Sequence, residues 1–221
     1  MDIKEKTITI LKRYEIGSTY SYLPVLPKAA VLIPLFQRDG ELQVLMTLRS
    51  LKLRSNAGEV CFPGGKRDPG DRDDVATALR EAEEEIGLPP DQVEVVCSLF
   101  PVMNQRGLLV VPVVGFIDES FVPRPNPAEV SAVFTVPLEF FTKAGAHSAC
   151  NPSGMSYPLH SFLYQEPRSG ISYQVWGLTA MLAILVASLA LQNKPEFDVG
   201  FDYDNPITFF QHNLNKRINK L

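Results

Sequence analysis

Short apolar runs alternate along the chain with polar breaks that carry glycine or proline. Ile3 to Tyr14 spaces its apolar residues as one face of a short helix. A polar stretch with Pro24 and Pro27 follows. Ala29 to Phe36 and Leu42 to Leu48 are apolar runs separated by Arg38-Asp39-Gly40-Glu41, and Asp-Gly between two such runs predicts a β-hairpin. Val60-Cys61-Phe62 is strand-like. A polar glycine loop then leads into a helix that Asp73 or Asp74 would cap, that Gly87 ends, and that Pro89-Pro90 keeps from resuming. Gln92 to Leu99 alternates as a strand, and Pro101 to Gly107 reads as a turn region. Leu108 to Ile117 is almost continuously apolar, the signature of a central strand buried on both faces.

A loop with Pro123, Pro125 and Pro127 precedes a return to apolar spacing from Glu129 to Leu138. Ser156 to Tyr164 and Gly170 to Tyr173 predict another strand pair. Trp176 to Leu191 has no charged residue. Its 16 residues fall short of the roughly 20 a membrane span needs, and it contains Gly177, Thr179 and Ser188, so a buried helix packed on the sheet is expected. Core packing is the expected role of Trp176 by default, with stacking on an adenine as the other reading. Helices are expected over about 175–221, with Lys216, Arg217 and Lys220 making a basic end. Strands and helices interspersed in this way imply one α+β domain over residues 1–221, a mixed sheet sandwiched between helices.

Composition narrows the partners. A net charge of −4 gives no electrostatic footprint for nucleic acid, so the expected partner is a small molecule. The three cysteines, Cys61, Cys97 and Cys150, form no Cys-x-x-Cys pair and suit a reducing interior. Cys61 and Cys97 read as small core residues. No N-terminal signal peptide is visible. The last three residues, Asn219-Lys220-Leu221, resemble the Ser-Lys-Leu peroxisomal address. They make a peroxisomal import receptor a candidate partner, with cytoplasm or mitochondrion as the alternative location.

The chemistry concentrates between Arg49 and Leu88. Glu81, Glu84 and Glu85 stand at i, i+3 and i+4 and share one helix face. Unpaired, three carboxylates repel one another, and the helix C-terminus disfavours them further. A solvated acidic face is the plain explanation; a hard divalent cation explains the stacking better, because it relieves both penalties. Upstream, Arg49, Lys52 and Arg54 precede a glycine-bearing loop with Gly58, Gly64 and Gly65. The arginines can grip phosphate bidentately, and the glycines let backbone approach a ligand. Glu59 points either to the acidic cluster or to solvent.

Arg80-Glu81-Ala82-Glu83-Glu84-Glu85-Ile86-Gly87-Leu88 resembles the second half of the Nudix hydrolase box. In the first half, five residues separate Gly65 from Asp71, which stands where the box has Glu, and eight residues rather than seven separate Asp71 from Arg80. Arg49-Ser50, followed by the run from Leu53 to Gly65 that ends Gly58-Glu59-Val60-Cys61-Phe62-Pro63-Gly64-Gly65, is similar to the added signature of the coenzyme A diphosphatases within that family, which share the longer box. Tyr173 to Ala180 resembles a segment common in the same group, and the terminal tripeptide favours its peroxisomal members.

The resemblance implies a Nudix-type α/β/α sandwich with a mixed central sheet and a loop-helix-loop box over about 65–88. It implies Mg²⁺ or Mn²⁺ on Glu81, Glu84 and Glu85, with Arg80 orienting them and Glu84 or Glu129 taking a proton from water. Arg49, Lys52, Arg54, Gly64 and Gly65 would bind substrate. The implied reaction is hydrolysis of coenzyme A and its thioesters to 3′,5′-ADP and 4′-phosphopantetheine. Another nucleoside diphosphate substrate, such as ADP-ribose or a dinucleotide, and a non-catalytic nucleotide-binding module are the rivals.

Overall fold

The computed structural model describes residues 2–17, 26–153 and 157–219. The strands are β1 (Lys28–Arg38), β2 (Glu41–Arg49), β3 (Val60–Cys61), β4 (Gly64–Lys66), β5 (Glu94–Ser98), β6 (Val102–Met103), β7 (Leu109–Phe116), β8 (Val130–Pro137), β9 (His147–Cys150), β10 (Leu159–Gln165) and β11 (Ser172–Trp176). The helices are α1 (Ile3–Leu11), α2 (Asp74–Ile86), α3 (Gly177–Leu191) and α4 (Pro206–Ile218).

The β1–β2 hairpin closes through Asp39 and Gly40, both at positive φ (52° and 81°), as the Asp-Gly pair demands. One edge of β1 pairs antiparallel with β2 near its C-terminus and with β4 near its N-terminus. The other edge runs parallel to β7 from Lys28 to Leu35. Antiparallel β5 and β6 flank β7, and β8 flanks β2. The result is an eight-stranded mixed sheet. Every residue of β7 is buried, because helices cover both faces of the sheet.

Alternation along β1 divides the core. Ala30 and Leu32 face α2 together with Val111 and Val113 of β7, and meet Ala78, Ala82 and Ile86. Ile33 and Leu35 face the opposite side, where Leu11 of α1 and the apolar body of α3 pack. Alanine at 78 and 82 lets α2 lie close to the sheet. Asp73 caps α2 by accepting from the Ala76 N–H at 2.8 Å, and Gly87 ends it in the left-handed conformation (φ 68°). On α3, Ala180 to Ala190 are all buried, and among the described residues no helix is long and apolar enough to cross a membrane.

The mixed sheet between helices is as expected, but local details differ. A second sheet of order β11-β10-β9 was not expected at its β9 edge, where polar His147-Ser148-Ala149-Cys150 masks the strand pattern. The expected turn over Pro101 to Gly107 contains β6, which is only two residues long and pairs with the start of β7. β11 begins at Ser172 and continues to Trp176, beyond the expected Tyr173. Trp176 is 39% exposed rather than packed in the core. Cys97 is buried as expected, but Cys61 is only partly so. Pro24, Ser156 and the terminal Lys220-Leu221 lie outside the described residues.

Candidate active site

Two glycines set the geometry. β4 lies antiparallel to β1, with Val31 opposite Gly64 and Ala30 opposite Gly65. A Cβ on Gly64 would overlap the Ala30 carbonyl and the Val31 Cα, so glycine permits this strand pairing. A Cβ on Gly65 would overlap the Glu81 carboxylate. The loop and α2 therefore meet with no side chain between them, and the backbone itself lines the acidic helix face.

The three glutamates of that face have distinct environments. Glu85 is 3% exposed; its Oε2 accepts from the Gly64 N–H at 3.1 Å, and its Oε1 lies 3.9 Å from Arg49 Nη1. Burial pushes its carboxyl up to about 7, although Gly64 and Arg49 pull it down; the nearby Glu81 and Glu129 add to the rise. Glu81 is also raised by burial, against the pull of Arg80, whose Nη2 is 3.1 Å from its Oε1. Glu84 is half-exposed and accepts from Arg80 Nη1 at 3.2 Å.

Arg80 is the hub of this face. It donates from Nε to Asp71 Oδ1 (2.9 Å), from Nη2 to Asp71 Oδ2 (3.0 Å), and from Nη2 to the Lys66 carbonyl (3.1 Å). Asp71 also accepts from the Thr77 hydroxyl and the Asp68 N–H, each at 2.9 Å. These bonds, Arg80's first, hold the Asp71 carboxyl far below the usual carboxylate range. Asp71 is thus a positioning residue. The sequence alone does not reveal this role, because the spacing from Asp71 to Arg80 departs from the box by one residue.

The basic residues separate. Arg49, at the end of β2, turns towards Glu85, and its Nε is buried with no hydrogen-bond partner among the described residues. Lys52 and Arg54 sit exposed on the turn before β3, with no ion-pair partner among the described residues. Glu129, just before β8, accepts from Asn126 Nδ2 at 3.2 Å, and its carbonyl accepts from the Ser50 N–H at 2.8 Å. Its charge is felt at both Glu81 and Glu85. Cys61 lies in the same region: its Sγ is 3.2 Å from the Thr47 hydroxyl, and Glu85 and Arg49 both act on it. Arg49, Gly64, Gly65, Arg80, Glu81, Glu84, Glu85 and Glu129 thus form one neighbourhood, whereas Lys52 and Arg54 lie exposed on the turn that follows Arg49.

As they stand, no three acidic, histidine or cysteine side chains among the described residues are grouped as a ready metal cage. The carboxylates bind Arg80, Arg49 and the Gly64 N–H instead. The donor set nevertheless fits a hard divalent cation. It is all oxygen and all on one helix face, and burial holds up the carboxyl of its most buried member, a penalty that a bound cation would offset.

Residues 26–150 match the family profile described as NUDIX domain. A mouse (Mus musculus) protein named peroxisomal coenzyme A diphosphatase NUDT7 is 47% identical over 194 residues, which cover 87% of this chain and 82% of that protein. Nudix hydrolase 15, mitochondrial, of Arabidopsis thaliana is 47% identical over 77% of this chain; the match spans 61% of the plant protein, less than two thirds of its length. The Escherichia coli (strain K12) protein named uncharacterized Nudix hydrolase NudL is 41% identical over 75% of this chain and 82% of its own length. With a box helix capped, buried and armed as its sequence requires, the chain belongs to the Nudix hydrolase family.

Proposed function

We propose that this chain hydrolyses the diphosphate bond of coenzyme A and its thioesters, giving 3′,5′-ADP and 4′-phosphopantetheine or its acyl derivative. The observation that carries this reading is the meeting of a carboxylate face on α2 with a side-chain-free glycine loop and the Arg49 guanidinium. The 47% identity to the mouse protein named for that activity supports it.

Glu81, Glu84 and Glu85 hold Mg²⁺ or Mn²⁺ in this reading. A divalent cation bound there would neutralise diphosphate charge and lower the pKa of a water molecule. Arg80, clamped by Asp71, keeps Glu81 and Glu84 oriented. Arg49 offers its unpartnered Nε–H to a diphosphate oxygen. Gly64 and Gly65 let the diphosphate lie against backbone. The attacking water forms a new P–O bond, the bridging P–O bond breaks, and the water's proton passes to a carboxylate oxygen of Glu84 or Glu129. Lys52 and Arg54 take the 3′-phosphate.

Coenzyme A incubated with the protein and Mg²⁺ is expected to yield 3′,5′-ADP, read by chromatography, and faster than ADP-ribose run alongside. Cleavage of ADP-ribose alone would replace the substrate and keep the chemistry. Cleavage of neither would sink the enzymatic reading in favour of a binding module.

The mouse relative's name and the terminal Asn219-Lys220-Leu221 together support a peroxisomal location. A fluorescent protein fused ahead of this chain is expected in peroxisomes, and the same fusion lacking the last three residues in the cytosol. An unchanged distribution on removing the tripeptide would count against import by that signal.

A further inference from the structure

The chain has one tryptophan, and the fold leaves it in an unusual place. Along β11, Tyr173 and Val175 turn inward, where Tyr173 stacks on Phe134 of β8 with ring centroids 3.8 Å apart. Ser172, Gln174 and Trp176 turn outward. The indole therefore contributes little to the core, although a residue of this size normally gains by burial. Its position is also fixed. Trp176 ends the strand in extended backbone (φ −144°, ψ 171°), and Gly177 turns the chain into α3 at φ 64°, a conformation that favours glycine.

The neighbours of the indole on the outward face of the β10–β11 pair are uncharged. Ser161 lies opposite it on β10, Gln174 donates from Nε2 to that Ser161 hydroxyl at 3.1 Å, and Leu163 next along is 60% exposed. β11 is the edge strand of its sheet, and it approaches β3 of the main sheet. β3 is two residues long. On one side of it is the turn with exposed Lys52 and Arg54; on the other is the Pro63-Gly64-Gly65 loop that lines the acidic helix. Through β3, the fold links a strand that ends in an exposed aromatic ring to a turn whose exposed cations have no ion-pair partner among the described residues. A π-face for the base and cations for phosphate are the chemistry that recognises a nucleotide.

Building on the coenzyme A reading, we propose that Trp176 is the stacking platform for the adenine base of the substrate, placed so that Lys52 and Arg54 meet the 3′-phosphate of the same nucleotide. Trp176 then sets which diphosphates are used. It binds substrate and transition state alike, and so acts on KM rather than on the chemical step.

Because Trp176 is the sole tryptophan, its emission reports on the platform without turnover. Titrating the wild-type protein with 3′,5′-ADP is expected to quench that emission saturably, whereas ribose 5-phosphate, which lacks a base, leaves it unchanged. Trp176→Ala is expected to raise KM for coenzyme A roughly tenfold, with kcat within about twofold, and Trp176→Phe to restore most of the loss. Unchanged emission with 3′,5′-ADP, together with an unchanged KM in Trp176→Ala, would overturn the proposal even if coenzyme A is cleaved. Emission that follows protein concentration instead of nucleotide would overturn it too, assigning the face to a second copy of this chain. Should coenzyme A not be cleaved, the substrate reading falls by itself, and saturable quenching by 3′,5′-ADP would still support the platform.

Discussion

Glu85→Gln is expected to lower kcat for coenzyme A by about three orders of magnitude while leaving the protein folded. Glu85 is the most buried of the three carboxylates, and the Gly64 N–H and Arg49 both address it. An amide oxygen still accepts from Gly64, so the local backbone stays in place. The amide, however, brings no negative charge and is a weaker ligand for a hard cation. The variant gives up the long 3.9 Å pair with Arg49, but burying a neutral amide costs less than burying a carboxylate whose pKa burial already raises. The metal-free melting temperature of the variant is therefore expected to match or exceed that of wild type. Steady-state turnover with Mg²⁺ and calorimetry in EDTA make the check. A variant that keeps a tenth or more of wild-type kcat would remove Glu85 from the reaction. One that melts far below wild type would make the glutamate structural. The combination of lost turnover and kept stability is peculiar to a functional carboxylate.

The same residue shows what the sequence could and could not reveal. The i, i+3, i+4 spacing was enough to place Glu81, Glu84 and Glu85 on one face, because helix geometry fixes that relation locally. Their inequality was not visible. Which of them is buried depends on how close β4 comes, and that depends on Gly65 having no Cβ to strike Glu81. Arg49, Lys52 and Arg54 read as one basic cluster along the chain. In space, β2 carries Arg49 to the helix while the turn carries the other two outward, a separation set by strand pairing rather than by composition.

The fold divides along the same line. The hairpin at Asp39-Gly40, the cap at Asp73, the stop at Gly87 and the buried β7 all rest on local rules and appear where the pattern put them. β6 and β9 escaped because each takes its identity from a partner: two residues of β6 against β7, and a polar four-residue β9 against β10. Trp176 escaped for another reason. An aromatic residue before an apolar helix reads as core, and only the alternation of β11 against the second sheet turns it outward.

Asp71→Asn is expected to cost both stability and turnover. Asp71 places two oxygens against four donors: Arg80 Nε and Nη2, the Thr77 hydroxyl and the Asp68 N–H. Asparagine keeps one oxygen and replaces the other with an amide that points a donor at donors. Arg80 then keeps its charge in a partly buried position without its main partner, which costs at most about 3 kcal/mol, the low end for broken buried pairs. For a chain of this length that lowers Tm by at most roughly 10 °C. Because Arg80 also holds Glu81 and Glu84, the half-saturating Mg²⁺ concentration is expected to rise roughly 10- to 100-fold, an effect a purely structural residue would not have. Asp71→Glu keeps the charge and one or more of the bonds, and should recover part of both losses. The pH dependence has a definite sign. The folded carboxyl titrates below its ordinary value of 3.8, so its contribution is present above 3.8 and is lost only as pH falls through the lower folded value. The stability difference between wild type and Asp71→Asn should therefore stay constant from about pH 8 to about pH 5 and shrink only in stronger acid. If denaturant melts show that difference collapsing within the near-neutral range, or if the variant keeps wild-type Mg²⁺ dependence, Asp71 does not act through Arg80. The one-residue-longer box would then have left this position without a function.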